Sequence, residues 1–145
     1  MAKRMNYYEI APEAMKLMIE TEKYINKSSI NKKLGELLKV RASQINGCAY
    51  CINVHTADAK KLGETEQRLY CLNAWRDCVF YSEEEKAALE LTEHITQIAD
   101  KRVPDELYEK VRKYFTEKEY IDLVIIINQI NSWNRISIAM GNVAE

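Results

Sequence analysis

Helix-boundary residues punctuate this chain at short intervals and leave room for little except helices. Both prolines, Pro12 and Pro104, stand where a run of helix-spaced apolar residues begins. Three of the four glycines, Gly47, Gly63 and Gly141, stand where such a run ends. From Pro12 the residues Met15, Met18, Ile19 and Ile25 share one side, a stripe expected in the core. Ser28 and Ser29 offer N-caps to a second helix carrying Ile30, Leu34, Leu37, Leu38 and Ile45, which Asn46-Gly47 stops. A third helix is expected over residues 48–62, and a fourth runs through Leu69, Leu72, Trp75 and Cys78. Ser82-Glu83-Glu84-Glu85 reads as a capping box with a solvated acidic start, opening a fifth helix through Ala88, Leu91 and Ile95. Pro104 opens a short helix with Leu107, Val111 and Tyr114. Thr116-Glu117-Lys118-Glu119 caps the last helix, which ends at Gly141. Gly35 alone lies inside a helix, where it costs about 1 kcal/mol against Ala and predicts a closely packed neighbour.

Residues 123–127, Leu-Val-Ile-Ile-Ile, have the propensity of a buried strand. No other segment offers a partner strand, and the capping box upstream favours helix. The expected fold is therefore all-α, a single-domain multi-helix bundle over residues 1–145. Residues 120–140 are apolar nearly all round, so the last helix is expected to be buried all round, in the core or between the subunits of a homo-oligomer.

Twenty-one basic residues against 22 acidic ones give a net charge of −1, which argues against a nucleic-acid partner. The longest apolar run is far too short for a membrane span. The first nine residues contain no apolar leader core, so a cytoplasmic location is the expectation. Four cysteines are too few for a disulfide scaffold of this length. Two of them, however, stand in one C-x-x-C.

That motif belongs to the stretch Gly47-Cys48-Ala49-Tyr50-Cys51-Ile52-Asn53-Val54-His55. On a helix, Cys48, Cys51 and His55 fall within a stripe roughly 60° wide, and His55 is one turn beyond Cys51. Both cysteines would sit at the helix start, where free N–H groups and the positive dipole end favour a thiolate. Asp58, one turn further, is placed to orient His55. A thiolate attacking a peroxide needs a proton on the leaving oxygen, and a positioned acid contributes roughly 10²–10⁴ in rate. His55 suits that role, and a second cysteine can resolve the sulfenic acid as a disulfide. The competing readings are a zinc knuckle, with a fourth ligand from Cys71, Cys78, His94 or Glu36, and an inert buried pair. Cys71 and Cys78, seven apart on one helix face, read as core thiols, and His94 as a satisfied or exposed helix residue.

At these residues the sequence resembles the alkylhydroperoxidase D-like family, within the carboxymuconolactone decarboxylase superfamily. The family pattern is a Glu, eleven intervening residues, then C-x-x-C-x-x-x-H, and Glu36, Cys48, Cys51 and His55 complete it here. The similarity continues through Gly63-Glu64-Thr65-Glu66-Gln67-Arg68-Leu69, Ala74-Trp75-Arg76 and Phe80-Tyr81-Ser82 to Glu85-Lys86-Ala87-Ala88-Leu89, over roughly residues 34–96. Some members carry a His between the cysteines, where Tyr50 stands. The resemblance implies thiol-dependent reduction of hydroperoxides, with Glu36 and His55 as a proton relay for Cys48 and Cys51. It also implies a homo-oligomer, commonly a trimer or hexamer, and an external dithiol reductant, a thiol or a lipoyl-type carrier. No bound cofactor or metal is expected. Two other functions fit the same residues: a decarboxylase-like lyase, for which the cysteine pair is superfluous, and a non-enzymatic dithiol redox sensor.

Overall fold

The computed structural model describes residues 3–145; Met1 and Ala2, where the expected domain and the leader reading begin, lie outside the described residues. All regular structure among the described residues is helical. A short α1 (Tyr7–Ile10) precedes α2 (Pro12–Asn26), α3 (Lys32–Asn46) and α4 (Ala49–Lys61). Next come α5 (Glu66–Tyr70), a 3₁₀ segment (Leu72–Asp77), α6 (Glu83–Thr96), α7 (Ile98–Lys101) and α8 (Asp105–Arg112). The chain closes with α9 (Glu117–Met140), so residues 123–127 are helical.

α3 is the hub. It packs against α4 on one side and against α6 and α9 on others. Its Leu37, Leu38 and Val40 interlock with Leu89 and Leu91 of α6 and with Leu123, Ile126 and Ile127 of α9. Such side chains contribute about 1.5–3 kcal/mol each when fully buried, so this three-way seam fixes where α3 can sit.

The expected boundaries hold where capping chemistry sets them. Both capping boxes form, Ser82 with Glu85 and Thr116 with Glu119. Gly47 and Gly141 take left-handed conformations just past their helices, at φ 67° and 71°. The N-cap of α3, however, is Asn31, whose Oδ1 accepts the Leu34 N–H at 3.2 Å, not Ser28 or Ser29. An Asn caps as well as a Ser, and the chain needs those serines to turn from α2 into α3.

The expected fourth helix is broken. α5 stops at Tyr70, a 3₁₀ segment follows, and Ala74 is non-helical inside it. Leu72 and Trp75 are both buried, and a spacing of three matches the 3₁₀ period. Trp75 is also held from outside: its Nε1–H donates to Glu93 Oε1 at 2.8 Å. Met15 is buried but Met18 is half-buried and Ile19 exposed, so the α2 stripe is narrower than expected.

α9 is not apolar all round. Asp122, Gln129, Asn131, Asn134 and Ser137 are buried on it, each with a partner. Asp122 accepts from Tyr24 Oη at 2.7 Å and pairs with Lys118, and Gln129 Nε2 donates to the Met18 carbonyl at 2.9 Å. Nor is it buried all round as expected: Ile121, Asn128, Arg135 and Ile138 are exposed, so α9 is covered on the side where neighbouring helices answer its polar groups and open on the other.

Candidate active site

The turn between α3 and α4 sets the site. Left-handed Gly47 ends α3, and the Cys48 N–H returns to the Ser43 carbonyl at 3.0 Å. The Asn46 side chain donates to Asn131 Oδ1 and to Asn134 Oδ1, each at 2.9 Å, and Asn134 Nδ2 donates to Ser43 Oγ at 3.0 Å. This buried amide network ties the end of α3 to α9, so the turn has one position. Cys48 then acts as the N-cap of α4 through its sulfur, accepting the Cys51 N–H at 3.3 Å. It lies one residue before the helix it was expected to open.

Cys48 and Cys51 are joined as a disulfide, with Cα atoms 5.3 Å apart. They are buried, at 1% and 3% exposure, and they open to different spaces. Cys51 lines a cavity of about 330 Å³ with His55, Tyr7, Tyr8, Tyr50 and Trp133. Cys48 lines a separate cleft with Ile138, Asn142 and Val143, beneath the C-terminal tail.

His55 is held by Glu36, whose Oε2 lies 2.8 Å from Nδ1. That leaves Nε2 as the ring nitrogen free for proton transfer. Asp58 does not orient the ring as expected. Its carboxylate pairs with Lys61 at 3.0 Å, and Glu36 on the facing helix reaches the ring first. The other oxygen of Glu36 is taken by Lys39 Nζ at 2.9 Å, with both side chains largely enclosed. Burial pushes the Glu36 carboxyl up, but the His55 hydrogen bond and the Lys39 charge outweigh it and hold it below the ordinary carboxylate range.

Lys39 is the site residue that sequence reasoning missed. An i, i+3 Glu–Lys pair was visible, but such pairs are usually solvated and unremarkable. Only the fold shows this one enclosed. The cavity aromatics Tyr7, Tyr8 and Trp133 were missed for a similar reason, since they come from α1 and α9, far away in sequence.

The grouping Glu36, His55 and Asp58 brings its ligand atoms within 4.8 Å of one another. Lys39 and Lys61 already occupy its carboxylates, which makes it a salt-bridged cluster poorly suited to a cation. The zinc reading is not supported by the cysteines, which are bonded to each other. His94 is satisfied, with Nδ1 2.9 Å from the Arg102 carbonyl.

Cys71 and Cys78 are free thiols, and they are half-buried at the rim of the core instead of inside it. The break in the helix removes the common face that would have buried them. They still meet across the 3₁₀ segment, where the Cys78 thiol is in hydrogen-bonding contact with Cys71 and lies 3.5 Å from the Ala74 carbonyl. Desolvation first, then the neighbouring Cys71, pushes the Cys78 thiol above its usual range.

Comparison with known proteins agrees with this geometry. The family model for the Carboxymuconolactone decarboxylase family matches residues 12–94, a stretch that contains Glu36, Cys48, Cys51 and His55. The chain is 68% identical over 142 residues to the uncharacterized protein YdfG of Bacillus subtilis (strain 168), covering 98% of this chain and 97% of that one. Its fold matches ATU0492 of Agrobacterium tumefaciens, a protein of unknown function proposed as the antioxidant defence protein AhpD, with a TM-score of 0.95. That pair is 33% identical over 99% of each chain. The debrominase Bmp8 shares the fold at a TM-score of 0.79 and 21% identity, covering 92% of this chain and 72% of that one. With the helical bundle, the linked C-x-x-C and the matched stretch taken together, the chain belongs to the carboxymuconolactone decarboxylase family and has its AhpD-like fold.

Proposed function

We propose that the chain is a thiol peroxidase and disulfide oxidoreductase that reduces hydroperoxides. One observation carries the reading: His55, fixed through Nδ1 by Glu36, shares a cavity with one sulfur of a linked C-x-x-C pair. In the reduced protein the Cys51 thiolate attacks the terminal oxygen of R–O–O–H. The O–O bond breaks, His55 protonates the leaving alkoxide to ROH, and Cys51 becomes a sulfenic acid. The Cys48 thiol then displaces water and forms the disulfide. An external reductant, one lipoyl-type dithiol or two equivalents of a small thiol, attacks Cys48 through the cleft under the C-terminal tail, leaves as a disulfide and returns both thiols. The aromatic lining at Cys51 suits an organic hydroperoxide. A homo-oligomer, trimer or hexamer, and a cytoplasmic location complete the proposal; no described helix is long and apolar enough to cross a membrane.

The test is chemical trapping. Reduced Cys48→Ser should consume about one equivalent of cumene hydroperoxide and leave a dimedone-reactive sulfenic acid on Cys51. A sulfenic acid on Cys48 of Cys51→Ser, formed just as fast, would reverse the roles of the two sulfurs.

A further inference from the structure

Glu36 also faces a second cavity, of about 250 Å³, which shares no lining residue with the cavity over Cys51. Ile25, Ile30, Leu62 and Ile126 form an apolar wall on one side of it, and polar and charged side chains complete the lining. Gly35 lines it from the interior of α3. A Cβ at that position would meet no atom within 4 Å, so the close packing expected around this glycine is absent. The missing side chain instead leaves open space over the helix. Ser28 Oγ, also in the lining, is the one buried side-chain polar atom without a hydrogen-bond partner among the described residues. Such an orphan calls for a partner that a ligand can supply.

The charges narrow the class of ligand. Lys32, Lys39 and Lys61 line the cavity against only Glu36 and Asp58. Lys39 is paired with Glu36 and Lys61 with Asp58, which leaves the exposed Lys32 ammonium in excess. One unmatched positive charge at the edge of an apolar hollow suits a singly charged anion with a short hydrocarbon body. A phosphate dianion would carry a second negative charge toward Glu36 and Asp58. A neutral or cationic amphiphile would leave Lys32 unanswered.

We propose that the cavity over Gly35 is a binding site for a small organic carboxylate, with its apolar body on the isoleucine wall, its head toward Lys32 and the Ser28 hydroxyl as a hydrogen-bond partner. Binding there needs no thiol and is independent of the peroxidase reading.

Calorimetric titration of the full chain with hexanoate, 1-hexanol and hexylamine tests this. Hexanoate should bind at one site per chain at least tenfold more tightly than hexanol, and hexylamine should not bind. Lys32→Met, a surface change, should weaken hexanoate about fivefold and leave hexanol unaffected. Ser28→Ala should weaken hexanoate by a few-fold. Gly35→Leu should fill the space and abolish binding. Gly35→Ala, whose Cβ enters open space, confirms that a substituted α3 still folds. Cys51→Ser should bind hexanoate as the unmodified chain does, so a failed peroxidase reading leaves this result standing. Equal affinity for hexanol and hexanoate, unaltered binding by a folded Gly35→Leu, or no saturable binding up to about 10 mM would each overturn the site.

Discussion

Two regions of this molecule each hold a pair of cysteines, and the backbone treats them differently. Cys48 and Cys51 sit at the N-terminus of a regular helix, buried and bonded to each other, beside a His whose Nδ1 is held by a half-buried Glu. Cys71 and Cys78 flank a kinked 3₁₀ segment, half-buried and unbonded, and the Cys78 thiol is pushed up by burial and by Cys71 itself. Both pairs are in contact. The difference lies in what faces the sulfurs. A helix start and an oriented imidazole favour a thiolate and feed it protons, whereas at Cys78 desolvation, the neighbouring thiol and Asp77 disfavour it and outweigh the Lys86 charge. On the proposed function, the groups around two cysteines, and not their contact, decide which pair does redox chemistry.

The largest expected effect separates the pairs directly. Cys51→Ser should lose the stopped-flow reaction with hydroperoxide, while Cys78→Ser should keep a rate within about twofold of the unmodified chain. A comparable loss in Cys78→Ser would erase the distinction. Next in size is His55→Ala, which should slow sulfenic acid formation about 10²-fold with the count of titratable thiols unchanged. A rate unaffected by that change would leave the relay without a role.

Stability sharpens the comparison from the other side. The 3₁₀ region is held by Glu93, which receives the Trp75 N–H at 2.8 Å, Arg76 at 2.7 Å and Arg41 at 2.9 Å. Burial pushes the Glu93 carboxyl up, but these partners outweigh it and hold it below the ordinary range. Glu93→Gln should destabilise the protein by about 2–4 kcal/mol in urea unfolding, because it leaves Arg41 partly enclosed without its counter-charge. A carboxyl with a depressed folded pKa stabilises above its unfolded pKa and loses that contribution as pH falls through the folded one. The variant should therefore lose part of the acid limb of the stability profile. Below its unfolding transition it should still react with peroxide. A selective loss of peroxide reactivity would mean that the two regions are coupled.

Gly35→Ala should raise stability by up to about 1 kcal/mol, since the new methyl group enters open space in a helix interior. A fall in the unfolding midpoint would show that something occupies that space. The subtlest effect belongs to Lys39→Met. Removing one of the two partners that hold Glu36 ionised should move the acid limb of the peroxide rate toward higher pH, and Lys39→Arg should restore it. Besides Lys39 and His55, the charged groups that line the space beside Glu36 are Lys32 of α3 and Asp58 and Lys61 of α4, so a shift caused by the wider field would also appear in Lys61→Met. Only a response confined to position 39 supports a direct role.

Most of the helix boundaries could be read along the chain, because caps, prolines and left-handed glycines act within one or two turns of themselves. Thr116 with Glu119 and Gly141 mark the ends of α9 in this way. The C-x-x-C-x-x-x-H spacing is equally local: it sets His55 one turn beyond Cys51 on the same cavity, whereas Cys48, at the N-cap and not on the helical stripe, opens to a separate cleft. Glu36 became visible only through the family pattern, since nothing within its own turn of helix points to His55. What tertiary structure decided lies between elements: that Glu36, and not Asp58, takes Nδ1; that Lys39 takes the other carboxylate oxygen; and that Trp75, drawn to Glu93, breaks the helix meant to carry Cys71 and Cys78. Local preferences amount to about a kilocalorie per residue, while a buried aromatic or an enclosed charge is worth several, so wherever the two met the packing prevailed.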